Sequence, residues 1–243
     1  MSADPAPVAV ITGASRGLGA TLSRFLAAEG YDLVLVARGA QDLIPLRNEV
    51  RRLSPTSEAI EGDVADARVR AEVLTAVRRR PRLDLLVNNA GILGTTPLPS
   101  LADYDLRELD HLWSVNVVAP LALVQALLPE LKRGHARVIN ISSDAARGGY
   151  PGWGAYGATK AALDLVSLTL AHELAADGVA VLSVDPGDML TPGVRAALSA
   201  SDLAGRPPPE VTLPFWAWLL HQDPARVAGH RFQAQADRWE VPT

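Results

Sequence analysis

The chain contains no cysteine. Disulfides, thiolate nucleophiles and Cys-ligated zinc or iron–sulfur centres are therefore excluded, and catalysis has to use oxygen or nitrogen groups. Cations are outnumbered as well: 23 Lys and Arg against 27 Asp and Glu give a formal net charge of -4. Nucleic acid or an anionic membrane requires clustered cations, and that footprint is missing. The one basic cluster, Arg78-Arg79-Arg80 with Arg82, ends a helical pattern and is expected to be a solvated helix terminus. Residues Met1 to Pro7 hold no Lys or Arg, and the apolar run after them is too short for a signal-peptide core, so a cytoplasmic location is expected. An uncharged stretch from Leu112 to Pro129 carries Ser114, Asn116, Pro120 and Gln125 and falls short of the ~20 apolar residues of a membrane span. It reads as a buried helix. His111, His135, His172, His221 and His230 lack metal-ligand spacing, and no metal is expected.

What is present is a chain of 243 residues, 48% hydrophobic, which suits one large globular domain over residues 1–243. Short β-branched and leucine-rich runs recur at Val8–Thr12, Asp32–Ala37, Leu83–Val87, Arg137–Ile141 and Val179–Val184. Helical patterns separate them, including Arg16–Ala28 ahead of Gly30 and Ala155–Asp177 ahead of Gly178. This alternation predicts an α/β fold: a doubly wound parallel sheet with helices on both faces. The irregular stretch 187–213 after the last of these runs is a candidate substrate lid.

Thr12-Gly13-Ala14-Ser15-Arg16-Gly17-Leu18-Gly19 follows the first strand and opens directly into a helix. Glycines there let the backbone turn tightly and approach a pyrophosphate, whose charge is met by free N–H groups at the helix start. The run lacks the Gly-Lys-Ser/Thr ending of a phosphate loop for nucleoside triphosphates. The second strand ends Val36-Ala37-Arg38 without the acidic residue that would bind adenosine ribose hydroxyls. A cation at Arg38, with Arg16 as a second clamp, suits a 2′-phosphate, so NADP(H) is preferred over NAD(H). Farther on, Ser143 precedes Tyr156 by thirteen residues and Lys160 follows Tyr156 by four. Positions i and i+4 share a helix face, which places an ammonium near a phenol, and together with the glycine loop this points to a proton-transfer site.

The combination resembles the short-chain dehydrogenase/reductase superfamily, over Val8 to about Thr191. The matching features are the loop at Thr12 to Gly19, Asp63-Val64, Asn88-Asn89-Ala90-Gly91, Asn116, Ser143, the Tyr156 and Lys160 pair, and Pro186-Gly187 with Thr191. The resemblance implies a Rossmann-like sheet of about seven strands and a dinucleotide held by Gly13, Ser15, Arg16, Gly17, Leu18, Gly19, Arg38, Asp63, Val64, Asn89, Ala90, Gly91, Tyr156, Lys160, Pro186, Gly187 and Thr191. It further implies Tyr156 as general acid or base, Lys160 holding the nicotinamide ribose and lowering the tyrosine pKa, Ser143 polarising the substrate oxygen, and Asn116 supporting a relay. Asn116 equally suits satisfaction of buried backbone, and Asp63 equally suits a helix N-cap. Ser142 reads as packing.

The implied activity is NADP(H)-dependent interconversion of a ketone or 3-oxoacyl carbonyl and a secondary alcohol. A catalytically silent cofactor sensor is the alternative, although such relatives usually lack part of the Tyr156–Lys160 pair. A sugar-nucleotide epimerase would need a larger C-terminal domain than the residues after Gly187 supply. The substrate side is expected along Ile92–Leu98, Asp144–Trp153 and Asp188–Leu213, with Arg147, Tyr150 and Trp153 as anchor and wall. A homodimer or homotetramer is expected through helices near Tyr104–Lys132 and Tyr156–Ala176, where Ala158, Ala161, Ala162 and Ala171 permit close approach. The polar end, Ala228 to Thr243, departs from the glycine-rich C-terminus of many relatives.

Overall fold

A computed structural model describes residues 5–241. Its centre is built from segments too apolar to tolerate water on either face. Strands β1 (Val8–Thr12), β2 (Asp32–Ala37) and β6 (Ala180–Asp185) are buried at every position, and β5 (Arg137–Ile141) at every position but its first. With β3 (Glu58–Glu61), β4 (Leu85–Asn88) and β7 (Arg231–Gln233) they form one seven-stranded sheet, ordered β3-β2-β1-β4-β5-β6-β7. Every pairing is parallel. Winding runs outward from β1 to β3, then returns to β4 on the other side of β1. Ligands of doubly wound sheets bind in the crevice at that reversal, off the carboxyl ends of the strands.

The helices cover both faces. On one side α1 (Gly17–Ala28) and α2 (Ala40–Val50) pack with α10 (Leu213–Leu220) around Leu22, Leu35, Leu43 and Phe215. On the other, α3 (Ala67–Arg78), α5 (Ala119–Gly134) and α7 (Gly154–Leu174) close over Val10, Val34, Leu86 and Val138. A further helix, α4 (Leu106–Trp113), runs into α5 through a π-helical turn at Ser114–Val118. By length and apolarity Leu106–Gly134 would suffice to cross a bilayer; Leu112, Leu123, Leu127 and Leu131 are instead fully buried in the fold.

The stretch 187–213 is less irregular than its composition indicates, because it holds α8 (Pro192–Ala197), α9 (Ala200–Leu203) and a 3-10 turn at Pro209–Thr212. Short helices α6 (Ala145–Gly148) and α11 (Pro224–Val227) complete the set. The polar C-terminus also has structure: β7 adds the last strand, and Phe232 and Trp239 join Phe215 and Trp218 in an aromatic cluster with ring centroids 5.6–6.2 Å apart.

One basic residue departs from expectation. Arg78 and Arg79 are solvated, but Arg80 is 9% exposed and donates to Asp32 Oδ2 at 2.8 Å, Glu58 Oε1 at 3.0 Å and the carbonyls of Ala76 and Thr56. A buried guanidinium is tolerable only when its donors are satisfied, and here acceptors from β2, β3, α3 and the turn before β3 satisfy it.

Candidate active site

The first β–α turn forces close approach. Gly13 has a φ of +64°, and a Cβ there would sit 2.8 Å from Asn89 Nδ2. At Gly19 a Cβ would collide with the carbonyl oxygen of Gly13. The Asn89 amide fills the space that these glycines leave, donating to the Thr12 and Gly13 carbonyls at 3.0 and 3.1 Å. Thr12 Oγ1 in return accepts from the Asn89 and Ala90 backbone amides, both at 3.0 Å. Arg16 occupies the N-cap of α1 without a capping side chain, and no acid lies in the first turn. The free N–H groups and positive end of α1 therefore face the open turn.

The turn opens into a cleft of about 630 Å³ at the winding reversal. Nearly every residue expected to hold a dinucleotide lines it: Gly13, Ser15, Arg16, Gly17, Leu18, Arg38, Asp63, Val64, Asn89, Ala90, Gly91, Tyr156, Lys160, Pro186, Gly187 and Thr191. Gly19 is buried beneath it. Asp63 is not a helix cap; Asp66 caps α3, while Asp63 Oδ1 accepts from Ala65 N at 2.9 Å within the turn on the cleft wall. Arg38 is exposed at the mouth and makes no ion pair among the described residues. Arg16 lies 3.7 Å from Asp42, another wall residue. A cradle that any Cβ would block, an uncapped helix start and two cations fit a phosphorylated dinucleotide.

At the other end, α7 presents Tyr156 and Lys160 on one face, with Lys160 Nζ 5.5 Å from the Tyr156 ring centroid. Lys160 is 3% exposed and donates to the Ile141 carbonyl at 2.8 Å. Ser143, just past β5, lines the same end of the cleft as Tyr156 and donates to Asp144 Oδ1 at 3.0 Å. Trp153 stacks edge-on against Tyr156, centroids 5.8 Å apart.

Burial dominates the electrostatics. It pushes the Tyr156 phenol up, the Ser143 hydrogen bond works against it, and Asp185 and Asp144 add to the rise. Burial also pulls Lys160 down to about 8, opposed by Asp164 one turn later. The direction for the cofactor-free phenol is therefore upward, with burial as its largest cause.

Asn116 does not line the cleft. Oδ1 accepts from Ile92 N at 2.9 Å, and Nδ2 donates to Ile92 O at 3.0 Å and Thr159 Oγ1 at 3.1 Å. Yet a Cβ on Gly91 would meet Asn116 Oδ1 at 3.4 Å and Lys160 Nζ at 3.5 Å, so both atoms converge beneath one glycine. The π-helical turn aims the amide there. Such turns often occur at functional sites, but no apolar periodicity announces one. Ser142 is buried on the cleft wall, its hydroxyl without a partner among the described residues. Tyr150 and Trp153 line the cleft, whereas Arg147 faces a smaller pocket outside it. Ala171 is buried toward the sheet and unavailable to a partner helix.

The family model for short chain dehydrogenase matches residues 7–201. The chain belongs to the short-chain dehydrogenase family. It is 39% identical over 189 residues to the short-chain reductase protein NovJ of Streptomyces niveus, covering 77% of this chain and 71% of that one. Among solved structures, a short chain dehydrogenase of Shigella flexneri complexed with NADP superimposes with a TM-score of 0.87 at 26% identity, covering 95% and 97% of the two chains. A 3-ketoacyl-(acyl-carrier-protein) reductase of Brucella melitensis complexed with NADH gives 0.84 at 26%, covering 93% and 96%. This short-chain dehydrogenase therefore shares the Rossmann-like fold and oxidoreductase class of that family.

Proposed function

We propose that the protein is an NADP(H)-dependent reductase of ketone or 3-oxoacyl carbonyls, reversible to oxidation of secondary alcohols. The observation that carries this reading is the convergence of Ser143, Tyr156 and Lys160 at one end of a cleft whose other end is a glycine cradle flanked by cations. A bound nicotinamide dinucleotide supplies or accepts the hydride; the chain supplies position and protons. In reduction, the Tyr156 hydroxyl gives its proton to the carbonyl oxygen while Ser143 donates a hydrogen bond to the same atom. In oxidation, the Tyr156 phenolate takes that proton back. Lys160 would hold the ribose and favour the phenolate, and Asn116 keeps the wall at Ile92 fixed beneath it. The alternative of a silent cofactor sensor keeps the cradle but leaves the intact Tyr156–Lys160 pair without a task.

The test is a screen of NADPH oxidation against ketones, 3-oxoacyl thioesters and quinones. Steady turnover with at least one class is expected. Tight NADPH binding with no turnover across the panel would favour the sensor. Cofactor choice is checked at Arg38: Arg38→Asp removes a phosphate partner and adds a repelling charge, so the NADPH-to-NADH ratio of kcat/KM should fall about a hundredfold. An unchanged ratio would place the 2′-phosphate elsewhere.

The assembly is proposed to be a homodimer or homotetramer. Leu106, Trp113 and Val118 are exposed along α4 to α5, and Leu165 and Leu168 on α7. A monomer in sedimentation at micromolar concentration would contradict this.

A further inference from the structure

Arg231 lies beyond the residues that the family model matches, on the three-residue edge strand β7. Nothing in the local sequence marks it. Its guanidinium nevertheless reaches under the candidate active site: Nε donates to Asp164 Oδ2 at 3.0 Å, and Nη2 donates to the Ser143 carbonyl at 2.8 Å and to Asp185 Oδ2 at 3.1 Å. The side chain is 15% exposed, and its partners Asp164 and Asp185 are 17% and 3% exposed. One planar fork therefore ties together three elements that each present part of the site. Asp164 is one helical turn after Lys160 on α7. Ser143 begins the turn after β5, and Asp185 ends β6. Asp185 Oδ1 also accepts from Gly187 N at 3.0 Å, extending the tie to the Pro186–Gly187 turn.

We propose that Arg231 is a positioning residue of the reaction: it fixes the Ser143 turn against α7 and offsets the carboxylates of Asp164 and Asp185 behind the Tyr156–Lys160 pair. The inference rests on the reductase reading above. The charged groups that bear on the phenol are Lys160 on α7, Asp144 beside Ser143 and Asp185 from β6, while Asp164 on α7 bears on Lys160. Of these, Asp185 and Asp144 disfavour a phenolate, and Asp164 favours a protonated Lys160. Arg231 is the cation placed on Asp185 and Asp164 both. Lysine is not equivalent there, because a point charge cannot satisfy three acceptors in one plane. Arg80 illustrates the contrasting case, a similarly buried guanidinium whose acceptors all lie away from the site.

Two substitutions separate charge from geometry. In Arg231→Gln the uncompensated carboxylates should move the acid limb of the pH profile for alcohol oxidation upward by about one unit, because the phenolate becomes harder to form. Its kcat should fall about tenfold through the loosened Ser143 turn, with the Kd for NADP+ within about twofold of the parent. Arg231→Lys should restore the limb while keeping most of the kcat loss. A Gln variant that melts lower yet keeps the parental limb and kcat would overturn the proposal and leave a structural staple. If the Gln variant does not fold, parental kcat in the Lys variant would overturn it as well. A readout independent of turnover is the titration of Tyr156 in NADP+-saturated protein carrying ring-carbon-labelled tyrosine, its resonance assigned by loss in Tyr156→Phe. An upward shift is expected in Arg231→Gln, and an unshifted titration overturns the role. Absence of turnover in the parent would fail the reductase reading alone and leave that titration decisive for Arg231.

Discussion

Tyr156→Phe should lower kcat for carbonyl reduction about a thousandfold while the NADPH Kd changes by no more than about threefold. The substitution removes one hydroxyl and keeps the ring that packs edge-on against Trp153, so the cleft retains its shape. What disappears is the phenolic hydroxyl at the Ser143 and Lys160 end of the cleft, and a positioned general acid contributes about 10² to 10⁴. The pH dependence carries a sign. Burial raises the phenol above its ordinary value, so the acid stays protonated across the neutral range and reduction should be flat there. Oxidation needs the phenolate and should climb with pH. Stopped-flow measurement of both directions checks this, and near-normal single-turnover reduction by the Phe variant would remove Tyr156 from the chemistry.

The fold was legible where physics is local. β1, β2 and β5 have the expected bounds because a strand buried on both faces must be a continuous apolar run. β3 and β7 escaped the same criterion. Edge strands are half solvated, and Glu58–Glu61 buries only Ile60, as Arg231–Gln233 buries only Phe232. The glycine turn was legible for a like reason: a Cβ clash is a property of the residue and its immediate neighbours. The contributions that stayed hidden act across the chain. Arg80 is paired with Asp32, 48 positions away, and Arg231 holds a carbonyl 88 positions away. Asn116 depends on a π-helical turn that rotates one amide toward Ile92, a backbone event with no compositional mark.

Lys160→Met should make the cofactor-free protein more stable while lowering kcat about a thousandfold. Lys160 is 3% exposed, and among the described residues no carboxylate makes an ion pair with it. Its pKa falls from 10.5 to about 8, chiefly through burial. At ~1.4 kcal/mol per unit this is about 3 kcal/mol of disfavoured charge at neutral pH. The unfolded chain binds the proton more tightly, so the penalty is complete below about pH 8 and shrinks as pH rises toward 10.5. Methionine keeps the length and apolar stem but forfeits the hydrogen bond to the Ile141 carbonyl, worth about 1 kcal/mol. The net expectation is a gain of about 1–2 kcal/mol at pH 7 that disappears above the lysine's unfolded pKa. Urea melts of both proteins at pH 7 and near 10.5 measure the difference directly. A variant less stable than the parent at pH 7 would mean that the ammonium is not desolvated at a cost. If the gain is found together with the loss of turnover, the lysine is held at the site against the stability of the fold, as expected where function requires a charge that packing disfavours.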